Sequence, residues 1–204
     1  MKNFFDYYFE HAEKNPDKVL LRIDNESLTY GEFVDKTAEI ASGMKKLNIK
    51  KNDKIGIIMP NSIEWYLMFW SAVRIGAQPV PLDPQSGEFE LVKLIPATTV
   101  KICFAAEKYR NNPIIEVLKK IIPEKVTINK IICFTENSSD IFDDIFISAK
   151  QFQEDFCQDT CDTYIPENEH IMSLACTSGS TGNPKILSVP YYGFLKAAED
   201  MGSY

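Results

Sequence analysis

The stretch KIGIIMPNSIEWYLMFWSAVRIGAQPVPLDP, residues 54–84, predicts the fold class. It begins with a short isoleucine-rich run ended by Pro60, which is typical of an interior strand of a parallel sheet. A strongly apolar helix follows, which Asn61 and Glu64 are predicted to cap and Gly76 to end. The stretch therefore predicts a strand followed by a helix that packs back onto a sheet.

The end of this stretch, AQPVPLDP, holds three prolines in eight residues. Proline fixes its own backbone and pushes the preceding residue towards extended conformations, so we expect a stiff, extended segment with Val80 and Leu82 buried. The preceding helix is apolar on most of its faces, which predicts that Trp65 and Trp70 belong to the core.

Helix and strand patterns alternate on both sides of the stretch. Upstream, Thr29 and Glu32 form a capping box, and apolar residues then recur at helical spacing to about Leu47. Downstream, the patterns predict helices near 88–95 and 113–122, a strand KICFAA at 101–106 and a strand KIICF at 130–134. Strict alternation of this kind predicts an α/β fold, a mostly parallel sheet flanked by helices.

The same patterns predict three regions. Residues 1–134 are expected to form an α/β subdomain, and residues 135–169, which are acidic and weakly patterned, to form surface loops or a linker. Residues 170–204 contain two short strand patterns, HIMSLAC and KILSVP, with a loop between them and the start of a further helix.

Composition excludes several classes of function. The net charge of −7 and the absence of a basic stripe argue against a nucleic-acid partner. No apolar run reaches the length of about 20 residues that a membrane span requires. Five cysteines, an odd number in a chain of 204 residues, favour reduced thiols and a cytoplasmic location. Cys157 and Cys161 have no second pair or histidine at zinc-binding distance, so no metal site is predicted.

The loop between the two strand patterns, TSGSTGNPK, is the candidate functional segment. Glycines let a ligand approach the backbone closely, while hydroxyls and a mobile lysine supply further hydrogen bonds, a combination that suits a polyphosphate. The candidate phosphate-binding residues are Thr177, Ser178, Gly179, Ser180, Thr181, Gly182 and Lys185. The residues by themselves leave open a plain glycine- and serine-rich surface turn.

Other reactive side chains favour structural roles. Cys176 stands at the end of a predicted strand with no histidine base beside it, so packing is the better interpretation. His11 and His170 lie far apart in the sequence and are predicted to be structural or solvated rather than catalytic.

The segment TSGSTGNPK resembles the phosphate-binding loop of the adenylate-forming superfamily, which includes acyl- and aryl-CoA synthetases, luciferases and the adenylation domains of peptide synthetases. LTYGEF at 28–33, the stretch 56–84 and the spacing between these segments extend the resemblance over nearly the whole chain. Two positions depart from the pattern: Ile186 stands where the family usually has glycine, and Tyr191 where it usually has histidine.

The resemblance implies that the parent enzyme activates a carboxylic acid with Mg²⁺ and ATP to an acyl adenylate, and then usually transfers the acyl group to a thiol such as coenzyme A. It also implies that the candidate loop holds the β- and γ-phosphates. The family's magnesium-binding glutamate, ribose-binding aspartate and catalytic lysine follow this loop, beyond Tyr204. We therefore expect an N-terminal fragment that has no catalytic residue or metal ligand of its own, binds none of the cofactors firmly and is inactive alone.

An acyl-CoA synthetase of fatty acid metabolism fits the resemblance best. A fragment of an amino-acid adenylation domain and a stand-alone, non-catalytic interaction module with the same fold remain as alternatives. Because the parent's other subdomains would cover part of the sheet, we expect the isolated chain to self-associate through an exposed sheet face.

Overall fold

The computed structural model describes residues 3–122, 128–135, 144–167, 169–177 and 185–202. In chain order the elements are α1 (Phe4–Lys14), β1 (Val19–Ile23), β2 (Glu26–Thr29), α2 (Tyr30–Lys46), β3 (Lys54–Ile58), α3 (Ile63–Arg74), β4 (Gln78–Pro81), α4 (Glu88–Thr98), β5 (Val100–Ala106), α5 (Ile114–Ile121), β6 (Lys130–Phe134), β7 (Phe146–Ser148), α6 (Ala149–Phe156), β8 (Ile171–Thr177), β9 (Lys185–Pro190) and α7 (Tyr191–Gly202).

Five strands form the main sheet, in the order β4-β3-β5-β6-β7, and every neighbouring pair is parallel. The register of the central pair places Ile57 of β3 opposite Phe104 of β5. Parallel strands need crossover connections, and α3, α4 and α5 supply them. The predicted α/β fold with a mostly parallel sheet flanked by helices is confirmed.

The sheet separates two apolar cores. Successive side chains of a strand point to opposite faces, so Phe104 packs into one core while Cys103 and Ala105 pack into the other. Buried side chains of α1, α2, α3 and α6 complete the first core, and those of α4 and α5 complete the second. Helices therefore cover both faces, as a parallel sheet requires.

Aromatic side chains dominate the first core beside α1, α2 and α3. Five of them, called the aromatic cluster below, pack ring against ring: Phe5, Tyr8, Phe33, Tyr66 and Trp70. The Tyr8 and Phe33 ring centroids are 4.4 Å apart, and the Tyr8 and Tyr66 hydroxyls are hydrogen-bonded at 2.9 Å. Trp70 is buried, which confirms its prediction, whereas Trp65 is only half-buried at the edge of the same core.

The helix α3 begins one residue later than predicted. Ser62, not Asn61, is the N-cap, and its hydroxyl accepts a hydrogen bond from the Trp65 backbone N–H at 3.1 Å. Glu64 lies in the first helical turn, where a negative charge favours the helix dipole. Gly76 follows the C-cap with φ of 73°, so the predicted end of the helix is confirmed.

The proline-rich segment after α3 includes the strand β4, at one edge of the main sheet. Proline lacks the N–H that an interior strand needs for its hydrogen bonds. An edge strand has a ladder partner on one side only in that sheet, so prolines are tolerated there. Val80 and Leu82 are both buried, which confirms the prediction of an extended segment with these two contacts.

Residues 135–169 contain regular structure that the prediction of loops missed. β7 pairs with β6 as the other edge of the sheet, and α6 follows it, capped by the Ser148 hydroxyl. Phe152 of α6 is buried against α2, where a Cβ at Gly43 would lie 2.9 Å from its ring. A three-residue strand is too short to show alternation, which explains why β7 was not predicted. Whether residues 134 and 169 mark subdomain boundaries stays a prediction.

The hairpin formed by β1 and β2, which joins α1 to α2, was not predicted from the sequence. Within the described residues, every helix is too short or too polar to cross a membrane.

Candidate functional site

The candidate loop joins the two strands of an antiparallel hairpin, β8 and β9. The last pair in the register is Thr177 opposite Lys185, and both residues are exposed. The structure thus brings the first and the last of the predicted phosphate-binding residues together. The other predicted residues lie outside the described part of the chain: Ser178, Gly179, Ser180, Thr181 and Gly182.

Two kinds of packing hold the root of this hairpin, meaning the end of β8 and β9 that lies away from the loop. Met172 and Leu174 of β8 are buried, one in each of the two cores. β8 also lies against β4, the edge strand of the main sheet. The hairpin is therefore fixed at its root, while its open end, with Thr177 and Lys185, faces solvent.

Both departures from the family pattern make packing contacts. Ile186 is half-buried and packs at the edge of the second core. Tyr191 is 2 % exposed, and its hydroxyl accepts a hydrogen bond from the backbone N–H of Phe4 at 3.0 Å. From the sequence, Tyr191 was noted only as a departure from the family pattern. Its contact with Phe4 could not be predicted, because Phe4 lies at the other end of the chain.

Cys176, next to the loop, packs against the second core and is half-buried. Burial raises the pKa of its thiol, since an apolar environment disfavours the charged thiolate. A raised pKa is the opposite of what a nucleophilic cysteine needs, so the structure supports the packing role.

The two histidines lie in different environments. His11 is exposed on α1 beside the ring of Tyr30, with centroids 4.9 Å apart. His170 precedes β8 and is buried, edge to face with Tyr164 at 5.1 Å. Among the described residues, its Nε2 has no hydrogen-bond partner. These environments agree with a solvated His11 and a structural His170.

We predict that His170 makes stability fall in mild acid. Burial first, and the charge of Lys51 next, lower its pKa below the ordinary value of 6.5, while nearby Glu167 opposes the shift. The unfolded chain therefore binds a proton before the folded chain does, so the free energy of unfolding declines as pH falls through 6.5 towards the lowered pKa. Urea denaturation between pH 7.5 and pH 5 measures this slope.

The matched variant is His170→Gln, which cannot titrate in this range. Its stability should change less between pH 7.5 and pH 5 than that of the unchanged chain, whatever its absolute value. Equal slopes for the two proteins would show that other groups cause the acid sensitivity.

Large apolar side chains remain exposed on and after the hairpin. Leu187 of β9 is 54 % exposed, and Phe194 and Met201 of α7 are 43 % and 72 % exposed. Self-association through an exposed sheet face, as predicted from the sequence, stays a prediction, which light scattering of the concentrated chain tests.

Comparison with known proteins places these observations in a family. The family model described as AMP-binding enzyme matches residues 8–201. 4-Coumarate–CoA ligase 2 of Petroselinum crispum is 26% identical over 191 residues, which cover 93% of this chain and 33% of that protein. Gramicidin S synthase 2 of Brevibacillus brevis is 24% identical over 184 residues, 90% of this chain and 4% of that protein.

A solved structure supports the fold. The anthranilate CoA ligase AuaEII in complex with anthranoyl-AMP aligns with a TM-score of 0.82 and 18% identity, covering 97% of this chain and 36% of that chain. The chain thus spans about a third of the length of these CoA ligases.

Proposed function

The chain belongs to the AMP-binding enzyme family, and from this premise we propose that it supplies the ATP phosphate-binding part of a ligase that activates a carboxylic acid. The observation that carries the proposal is the β8–β9 hairpin, which places Thr177 opposite Lys185 at its exposed end. The family match extends over nearly the whole chain and includes this hairpin.

The proposed role of the loop is electrostatic. Backbone N–H groups and hydroxyls of residues 177–182 would hold the β- and γ-phosphates, and Lys185 would add a positive charge beside them. Hydrogen bonds to charged groups are worth about 1.5–3 kcal/mol each. A few of them would orient the triphosphate and stabilise pyrophosphate as it leaves the α-phosphorus.

We assign no step to magnesium through residues of this chain. Within the described ranges, no group of three His, Cys, Asp or Glu side chains could hold a metal ion. The chain spans about a third of 4-coumarate–CoA ligase 2, and the resemblance implies that the residues for magnesium, the ribose and the carboxylic acid follow the loop, beyond Tyr204. We therefore propose that the 204-residue chain alone does not complete the reaction.

We propose two candidates for the parent ligase, which differ in the acid that is activated and in the acyl acceptor. The CoA ligases among the relatives favour an acyl-CoA synthetase, with coenzyme A as acceptor and a fatty or aryl acid as substrate. The match to gramicidin S synthase 2 favours an amino-acid adenylation domain as the second candidate. A stand-alone, non-catalytic module with the same fold is a separate alternative, and it would bind nucleotide weakly or not at all.

We predict weak, saturable binding of Mg-ATP by the 204-residue chain. Only the outer phosphates have proposed partners, so a dissociation constant of about 1 mM is expected, equivalent to about −4 kcal/mol. Lys185→Ala should weaken binding only about two- to three-fold, because one solvated lysine is a small part of a loop built mainly from amides. NMR titration with Mg-ATP measures both affinities.

The matched control is Lys150→Ala, which removes an exposed lysine from α6 and should leave the affinity unchanged. No saturable binding by the unchanged chain would favour the non-catalytic module. Pyrophosphate exchange should be absent with fatty, aryl and amino acids alike. Clear exchange with any of them would show a complete site within these 204 residues and would overturn the proposed partial role.

A further inference from the structure

The first residue of α7, Tyr191, joins two parts of the chain that are far apart in sequence. Its hydroxyl accepts the hydrogen bond from the Phe4 backbone N–H at 3.0 Å, across 187 positions. The two rings also pack edge to face, with centroids 5.3 Å apart. Both side chains are buried, so water does not compete for this contact.

The donor in this bond is a helix terminus. Phe4 is the first residue of α1, and the first N–H groups of a helix have no acceptor within it. The Asn3 side chain accepts from Asp6 N–H and the Asp6 carboxylate accepts from Asn3 N–H, which leaves the Phe4 donor to Tyr191. The tyrosine hydroxyl therefore adds a capping hydrogen bond to α1.

The backbone of Tyr191 closes the root of the hairpin. Its N–H donates to the carbonyl oxygen of His170 at 2.9 Å, immediately before β8. Tyr191 also follows directly on β9, the strand that begins at Lys185. One residue thus joins the start of β8, the end of β9 and the N-terminus of α1.

Further contacts run between α1 and α7. Phe194 packs against Phe4 with ring centroids 5.6 Å apart. The Tyr7 hydroxyl donates to the Glu199 carboxylate at 2.5 Å, but this pair is exposed. An exposed bond is worth less than a buried one, so the Tyr191 hydroxyl is expected to contribute more to stability than the Tyr7–Glu199 pair.

We propose that Tyr191 is a positioning residue for the phosphate-binding hairpin. Its hydroxyl holds the β8–β9 hairpin against α1, and so fixes where Thr177 and Lys185 stand. The role in nucleotide binding rests on the proposed function above. The tyrosine stands where the family that this chain resembles usually has histidine.

The test removes the hydroxyl alone, as Tyr191→Phe in the 204-residue chain. The matched control is Tyr66→Phe, which removes the hydroxyl that pairs with Tyr8 and thus a link from α1 to α3. Both variants keep an aromatic ring and lose one hydroxyl from the same core, so a similar loss of Tm is expected. Amide hydrogen exchange of β8 and β9, and Mg-ATP affinity by NMR titration, are measured on both.

We expect amides of the hairpin to exchange about five-fold faster in Tyr191→Phe, the size of effect that one buried hydrogen bond gives. The dissociation constant for Mg-ATP should rise by about the same factor. In Tyr66→Phe, hairpin exchange and Mg-ATP affinity should both stay within two-fold of the unchanged chain.

Equal hairpin exchange in the two variants overturns the positioning role, even if Mg-ATP binds. Faster exchange with unchanged Mg-ATP affinity also overturns it, because the hairpin's position would then not matter to the ligand. Failure of the unchanged chain to bind Mg-ATP overturns the proposed function instead, and the exchange comparison still decides whether Tyr191 positions the hairpin.

Discussion

Replacing Gly76 by alanine is expected to lower the free energy of unfolding by about 3 kcal/mol. Gly76 follows α3 with φ of 73°, a left-handed conformation that costs a residue with a Cβ about 1–2 kcal/mol. A Cβ at this position would also lie 2.7 Å from Cδ1 of Tyr164, so the ring or the backbone must shift. Overpacking of this kind adds about 1–3 kcal/mol.

Urea denaturation of Gly76→Ala measures the loss, and Tyr164→Ala separates its two causes. In the Tyr164→Ala background, alanine at position 76 should cost only the backbone strain of about 1–2 kcal/mol. Gly193→Ala is the control, because Gly193 lies in α7 and a Cβ added there would lie 3.7 Å from Cβ of Pro190, an ordinary contact distance. That variant should be neutral or up to about 1 kcal/mol more stable. A loss below about 0.5 kcal/mol for Gly76→Ala would contradict both the strain and the clash.

Replacing Phe33 by alanine is expected to cost about 4 kcal/mol of unfolding free energy. Phe33 of α2 is fully buried in the aromatic cluster, against Phe5 of α1 and Tyr66 and Trp70 of α3. Removal of its ring leaves a cavity between three helices that cannot close without moving them. Since domains are stable by about 5–15 kcal/mol, this loss is a large share of the total.

Urea denaturation with an unchanged slope against denaturant concentration measures the effect. The same substitution at Phe89, which is 70 % exposed on α4, is the control and should cost less than about 0.5 kcal/mol. Similar losses for the two variants would show that the aromatic cluster does not anchor α1 and α2. A loss near 4 kcal/mol at Phe33 alone would support that anchoring.

Local patterns in the sequence were enough to predict the main helices and strands. The capping box of Thr29 and Glu32 is present, with both reciprocal hydrogen bonds. The isoleucine-rich run became the buried strand β3, and Gly76 ends α3 as predicted. Each of these features depends on residues a few positions apart, so the sequence shows them directly.

The sequence predicted only part of the candidate site. The types of residue in the loop suggested phosphate binding, and the flanking strands were predicted in their correct places. The resemblance to adenylate-forming enzymes agrees with the family match over residues 8–201. That residues 177–185 bind phosphate stays a proposal, because residues 178–184 lie outside the described ranges.

The burial of Arg74 depends on contacts that the sequence does not reveal. This side chain, 6 % exposed at the end of α3, donates to the Val34 carbonyl at 2.6 Å and to the Thr37 hydroxyl at 2.9 Å. Its guanidinium also lies over the rings of Phe5 and Phe9. From sequence alone, a charged residue at a helix end is expected to be solvated. Arg74 is buried because α1 and α2 pack against α3.

The sequence by itself determined the order and type of the main elements, because hydrophobic periodicity and turn residues act over short distances. Only the tertiary structure decided that β7 completes the sheet, since three residues carry too little pattern. It also decided that Tyr191 joins the hairpin to α1, 187 positions away. Contacts over that separation form only when the whole core is assembled, and no local pattern encodes them.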